Sequence, residues 1–176
     1  MSQTAQSKRR VWWKWTAAAL VATVVLVAVG TKLLYPYEVG PEQPLPFSHA
    51  VHAGERGISC LFCHDTADRT QDAGTPPEQK CLLCHNVIIP QFPPIQQLHG
   101  YYDRGEAIPW VRVYRFPDYV RFNHQMHLNA GHDCGECHGD VKHMDRVLAA
   151  MPIEMGFCID CHRKNGAGTD CTICHY

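Results

Sequence analysis

No cysteine of this 176-residue chain stands outside a C-x-x-C-H motif, and its first 32 residues contain no Asp or Glu. The first absence excludes a disulfide framework, because ten cysteines in five adjacent pairs leave none free to staple distant segments. The second leaves five Lys/Arg at the start, so the remainder carries 11 Lys/Arg against 17 Asp/Glu. An excess of acid over that length speaks against nucleic acid as a partner. Length is also in short supply, and allows one domain. Twelve prolines and 13 glycines imply a chain that turns often and builds little regular structure.

What is present is one device used five times. The pairs are Cys60/Cys63, Cys81/Cys84, Cys134/Cys137, Cys158/Cys161 and Cys171/Cys174, followed at once by His64, His85, His138, His162 and His175. C-x-x-C-H is the attachment signal for c-type haem: two thiols bond to the porphyrin and the next imidazole ligates its iron. A four-cysteine zinc site is the competing reading, since the spacing from Cys63 to Cys81 suits one. Zinc leaves the five flanking histidines unexplained and one cysteine pair over. The reading is therefore five c-type haems. So many prosthetic groups leave too little polypeptide for a layered core, so the haems themselves are expected to form it. The expected fold class is a mostly irregular and α-helical multihaem cytochrome c domain, preceded by one N-terminal transmembrane helix.

A second pattern supplies more imidazoles. Phe47, His49 and His52 precede the first motif, and Phe122, His124 and His127 precede the third, at an offset of about 75 residues. Each F-x-H-x-x-H offers two histidines without cysteines, and residues three apart are expected to ligate two different irons. That gives four distal ligands. The fifth is open among Met144, His143, His99 and His132, of which thioether ligation would raise a haem potential relative to a second imidazole.

The chain divides into a polar tail over 1–10, a membrane helix over 11–35, a proline-rich linker over 36–46 and a pentahaem domain over 47–176. The apolar run is flanked by Trp12, Trp13 and Trp15 on one side and Tyr35 and Tyr37 on the other, and about 20–24 residues suffice to span a bilayer. Lys8, Arg9, Arg10 and Lys14 before the run predict the N-terminus inside and the haem domain outside, on the periplasmic side of the cytoplasmic membrane. Thioether attachment of haem, which takes place outside the cytoplasm, agrees. A cleaved signal peptide is the alternative, with Ala28-Val29-Gly30 as its small-x-small site. Residues 86–121 carry no anchor motif. There V-I-I-P-Q-F-P-P-I is expected to lie against haem or a partner rather than form a strand, and 108–120 to be a short extended piece leading into His124. Trp110 and Phe116 are expected on haem faces. Over 141–155, Val141, Met144, Leu148, Met151 and Met155 fall at helical spacing and predict a helix.

F-x-H-x-x-H with a following C-x-x-C-H resembles the small multihaem cytochromes of sulfate-reducing bacteria, where both histidines are distal ligands to different haems. A fuller resemblance runs through F-S-H-A-V-H-A-G, I-P-W-V-R-V, F-P-D-Y-V-R-F-N-H-Q-M-H, C-G-E-C-H-G-D-V-K-H-M and M-G-F-C-I-D-C-H-R. In that order they are similar to the membrane-anchored pentahaem subunit of alternative complex III, a bacterial quinol:electron-acceptor oxidoreductase. The resemblance implies Met144 as the fifth distal ligand. It further implies integral multi-span quinol-binding subunits and an iron–sulfur subunit as companions, and a monohaem cytochrome c or a terminal oxidase as acceptor. It implies an electron-transfer subunit, not an enzyme by itself. The other readings are a stand-alone membrane-anchored multihaem carrier or quinol dehydrogenase feeding a periplasmic reductase, and a catalytic multihaem reductase. The last needs an iron with an open position, and five motifs ending in histidine with spare ligands speak against it.

Overall fold

The computed structural model describes the backbone of residues 3–34 and 40–176, with the side chains of 12–31 and 40–176. It contains helices and irregular segments, and no strand among the described residues. The expected fold class holds. Two compact units divide at residues 38/39.

The first unit is helix α1, Gln3–Leu34. Within it Trp12–Thr31 has mean hydropathy 1.7 over 20 residues, long and apolar enough to cross a membrane. Its Thr16, Thr23 and Thr31 hydroxyls donate back to carbonyls three or four residues earlier, the usual way for a helix to absorb a hydroxyl in apolar surroundings. The tail over 1–10 is helical from Gln3.

The second unit carries all five motifs on short helices. These are α2 (Cys60–Cys63), α3 (Glu78–His85), α4 (Pro93–Asp103), α5 (His124–Asn129), α6 (Cys134–His138), α7 (Met155–Lys164) and α8 (Cys171–Cys174). A π-helical turn, Ala50–Glu55, precedes α2, and a 3₁₀ turn, Val141–His143, follows α6. Each C-x-x-C lies in one helical turn, which puts both thiols on one face. Caps fix where two of the motif-bearing helices begin. Asp133 and Glu136 form a capping box on α6, and Asp170 accepts from the Thr172 N–H on α8.

Among the described residues of this unit six hydrophobic side chains are buried, and five of them form one aliphatic cluster: Leu45, Leu82, Ile95, Leu98 and Ile108. It ties α3 to α4 and lies entirely in the first half of the unit. Ile108 is held there by its N–H, which donates to Glu78 Oε1 at 2.8 Å. Leu45 is a member of this cluster, and Gly40 packs against a different segment of the unit. Gln97 Nε2 donates to the Pro44 carbonyl, and Gly40 lies so close to the Val147 carbonyl that a Cβ would collide with it. Residues 35–39 of the expected linker lie outside the described residues.

One sequence expectation changes here. The helix over 141–155 is a single 3₁₀ turn followed by irregular chain, and α7 begins only at Met155. Pro152 disfavours helix at Met151, and the backbone is committed elsewhere. The Met144 carbonyl accepts from Ala50 N–H at 3.0 Å, and Met151 N–H donates to the Tyr114 hydroxyl at 3.4 Å. α4 begins inside the apolar segment over 87–95, with Pro93 and Pro94 in its first turn, where no N–H is needed. Trp110 packs on the aliphatic cluster, while Phe116 meets Phe122 at 6.2 Å.

Candidate functional site: facing imidazoles and paired thiols

The two F-x-H-x-x-H units fold into the same side-chain geometry. Phe47 meets the His49 ring edge-on at 4.8 Å and stacks on His52 at 4.4 Å and 24°. Phe122 meets His124 edge-on at 4.8 Å and stacks on His127 at 4.4 Å and 24°. The phenylalanine thus orients both rings of its unit. His52 Nδ1 lies 2.8 Å from the Ser48 carbonyl and His127 Nδ1 lies 2.7 Å from the Asn123 carbonyl.

That pairing fixes the tautomer. A carbonyl oxygen only accepts, so Nδ1 must carry the proton and Nε2 is left with a free lone pair. The same holds for His124 against Gln71, His64 against Gly74, His85 against Ile88, His162 against Gly168 and His175 against Tyr119. Seven histidines therefore keep an Nε2 lone pair free to bind a metal, each with the kind of backbone partner that orients metal-ligating imidazoles.

The rings also face one another in pairs. His52 and His85 have centroids 6.0 Å apart, His127 and His162 6.0 Å, and His124 and His138 6.4 Å with planes at 4°. Two imidazoles sharing one metal at bonds of about 2 Å put their centroids about 6 Å apart. The spacing fits. Each pair joins a histidine of an F-x-H-x-x-H unit to a motif histidine, and the two members of one unit face different motifs.

His49 completes the set differently. Its Nδ1 is buried without a hydrogen-bond partner among the described residues. Burial first, and then the charges of His64 and His52, lower its pKa to about 4. His138 is lowered too, by burial and then by His124 and His64. Neutral rings are what ligation requires.

The ten motif cysteines are less alike in exposure than five copies of one motif lead one to expect. The thiol pKa values of Cys63, Cys81, Cys134, Cys137 and Cys158 are raised above the usual range, chiefly by burial. Cys84 is exposed on α3, as Cys60 and Cys171 are on their helices, while Cys81 is half-buried against the aliphatic cluster. The Cys84 carbonyl accepts from both Val87 and Ile88 N–H, so the chain turns away just after this motif. Cys161 is half-buried on α7, and Asn165 Nδ2 donates to its carbonyl at 3.0 Å and to its sulfur at 3.5 Å. A thioether sulfur is still a weak acceptor, so that contact is compatible with attachment there.

The other expected ligands are scattered. His132 donates from Nδ1 towards Glu136 at 2.9 Å, and His143 pairs with Asp140 at 2.7 Å on an exposed surface. His99 lines a groove of about 360 Å³ between α3 and α4, with Leu82, Leu83, Tyr102 and Asp103. Met144 has its terminal methyl beside Gly139, the residue after His138. The His175 ring meets Tyr119 at 5.9 Å. Sequence reasoning missed the backbone carbonyls that set the tautomers, for which residue types give no signal.

Comparison with known proteins points the same way. Residues 120–176 match the family described as cytochrome c7 and related cytochrome c. The chain is 29% identical over 162 residues to the menaquinone reductase, multiheme cytochrome c subunit, of Nitratidesulfovibrio vulgaris, covering 76% of this chain and 77% of that one. Residues 120–176 thus form a cytochrome c7-like domain, and the motifs, the helical fold and this similarity support electron transfer by a multihaem cytochrome c.

Proposed function

We propose that the chain binds five c-type haems and relays electrons as a subunit of a membrane quinone oxidoreductase of the alternative complex III kind. Cys60/Cys63, Cys81/Cys84, Cys134/Cys137, Cys158/Cys161 and Cys171/Cys174 hold the porphyrins. His64, His85, His138, His162 and His175 are the proximal ligands; His49, His52, His124 and His127 are the distal ones, with Met144 as the fifth. The groups supply one-electron transfer without bond making. The protein's part is to fix axial ligands, burial and neighbouring charge, which set the potentials.

The observation that carries this reading is the set of three facing imidazole pairs, each linking an F-x-H-x-x-H histidine to a motif histidine. With both sides of the iron taken, such a site passes electrons and has no position for substrate. The apolar helix anchors the domain to the cytoplasmic membrane, with the N-terminus inside and the haems outside. Multi-span quinol-binding subunits and an iron–sulfur subunit are the proposed companions, and a monohaem cytochrome c or terminal oxidase the acceptor. A second reading is an anchored carrier exchanging electrons between the quinone pool and a periplasmic redox enzyme. The similarity to a menaquinone reductase subunit favours it equally.

Purification from native membranes in mild detergent, with companions identified by mass spectrometry, separates the two. Multi-span and iron–sulfur subunits in fixed ratio support the first; a soluble redox enzyme or no companion supports the second. Intact mass gives the haem count. Strong carbon monoxide binding to the reduced protein would reveal an open iron and count against a pure relay.

A further inference from the structure

We infer that the five attachment motifs form one unbranched row in the spatial order second, first, third, fourth, fifth, so that electrons enter and leave at the His85 and His175 ends. This rests on the proposed attachment of a haem at each motif. The order differs from that of the sequence, because the first motif sits inside the row and the second at its end.

Each link has its own contacts. The first and second motifs are neighbours because His49 and His52 leave one turn towards them, His52 facing His85. Lys80 of α3 bridges the same pair, bonding Asp65 beside His64 at 2.5 Å and standing over the Phe62 ring at 5.7 Å. The third and fourth are joined in the same manner, with His124 facing His138 and His127 facing His162. The fourth and fifth follow within a few residues, and His162 Nδ1 is held by the Gly168 carbonyl on the connecting loop.

The central link is the one the sequence does not suggest. The first cysteines of the first and third motifs, Cys60 and Cys134, are neighbours. Around that pair the backbone exchanges are reciprocal. Ala50 N–H, after His49, donates to the Met144 carbonyl at 3.0 Å; Gln125 N–H, after His124, donates to the Thr70 carbonyl at 3.2 Å. These positions correspond in the repeat. Each double-histidine turn is thus seated on the segment following the other repeat's motif, as Gly54 against the Lys142 carbonyl also shows. The two repeats are related by an approximate two-fold, with the first and third motifs at its centre and the second and fourth outside them. The fifth motif extends one side only. A row built this way has two ends and no branch.

The test is an experimentally determined structure of the full-length, haem-loaded protein in detergent, with intact mass measured on the same sample. Expected is an iron at His64 whose two nearest irons are those at His85 and His138, with the His85 and His175 irons the farthest-separated pair. An iron at His85 nearer to His138 or His175 than to His64, or an iron at His175 nearer to His64 than to His162, overturns the order. Fewer than five haems by mass instead refutes the five-haem reading; the positions of those present still test the order.

Discussion

The two repeats reach one ligand geometry by different backbones. In the first, the double-histidine turn is π-helical, Ala50–Glu55; in the second it is the α-helix His124–Asn129. The first repeat has one more residue between its second histidine and its motif, and a π turn is the local form that takes up an extra residue without disturbing the helix around it. The phenylalanine–histidine distances are nonetheless the same in both. Selection of side-chain placement over backbone type is what a fixed prosthetic group demands. The surroundings then diverge. The first repeat leans on the aliphatic cluster between α3 and α4, while the second has capped motif helices and a fifth motif.

The largest expected effect separates centre from end. Replacing Cys60 and Cys63 by serine removes a motif that neighbours Cys134 and lies under Lys80 of α3. It is expected to cost more than about 4 kcal/mol, the range seen when a structural prosthetic group is lost, and to prevent accumulation of folded protein. The same change at Cys171 and Cys174 leaves a four-haem domain that folds. Haem stain against protein in membranes reads both; equal accumulation would contradict the central place of the first motif.

Next comes the aliphatic cluster that only the first repeat owns. Leu98 is 1% exposed, and Leu98→Ala is expected to cost about 3 kcal/mol in thermal or denaturant unfolding. Haem content should not change, because Leu98 lies on neither motif nor ligand turn. Loss of haem together with stability would mean that this cluster holds the His85 motif in place.

The equivalence of the two ligand turns is tested by His52→Met and His127→Met. Thioether in place of imidazole raises one reduction potential in each protein, by at least about 60 mV or about 1.4 kcal/mol per electron. Since both rings stack on phenylalanine and bond a carbonyl alike, the two shifts are expected to match in a redox titration. Clearly unequal shifts would show that the surroundings, rather than the shared turn, dominate.

A smaller difference lies in the caps. Asp133 opens α6 in a capping box, whereas the corresponding Ser59 makes no side-chain cap on α2. Asp133→Ala is expected to cost about 1 kcal/mol and Ser59→Ala less than about 0.5 kcal/mol in denaturant unfolding. Similar losses would mean that Ser59 caps in solution.

The chemistry was legible because it is written in adjacent residues. C-x-x-C-H and F-x-H-x-x-H declare themselves at fixed short spacing, and an abundance of proline and glycine with few residues per motif gave the helical, irregular fold class. What failed was periodicity read without tertiary context. Apolar residues at 141, 144, 148, 151 and 155 have helical spacing, yet Met144 gives its carbonyl to Ala50 and Pro152 closes the way to α7. Pro93 and Pro94 looked like breakers and are instead a helix start. The motif alone also made all ten thiols equal, whereas the exposure of Cys84 and the Asn165 contact of Cys161 come from what surrounds each helix. Which imidazole faces which motif depends on chain crossings between residues some 75 apart, and no local pattern carries that.

The smallest effect is electrostatic and belongs to the fifth motif, the one without a counterpart. The Asp170 carboxyl is held below its usual 3.8, first by the Thr172 backbone N–H and then by the Thr172 hydroxyl. A carboxylate whose pKa is depressed on folding stabilises the fold above its unfolded pKa and loses that contribution as pH falls through the lower folded value. Asp170→Asn keeps an oxygen able to cap α8 and removes the titration. Above about pH 5 the natural protein is therefore expected to be slightly the more stable, and the gap should narrow as pH drops below 3.8. Acid loosening of axial histidines affects both proteins alike and cancels in the difference, which paired denaturant titrations at each pH measure. Because Asp170 is exposed, salt should shrink the gap at every pH. A gap that neither narrows in acid nor responds to salt would mean that the charge is idle and only the hydrogen bond counts.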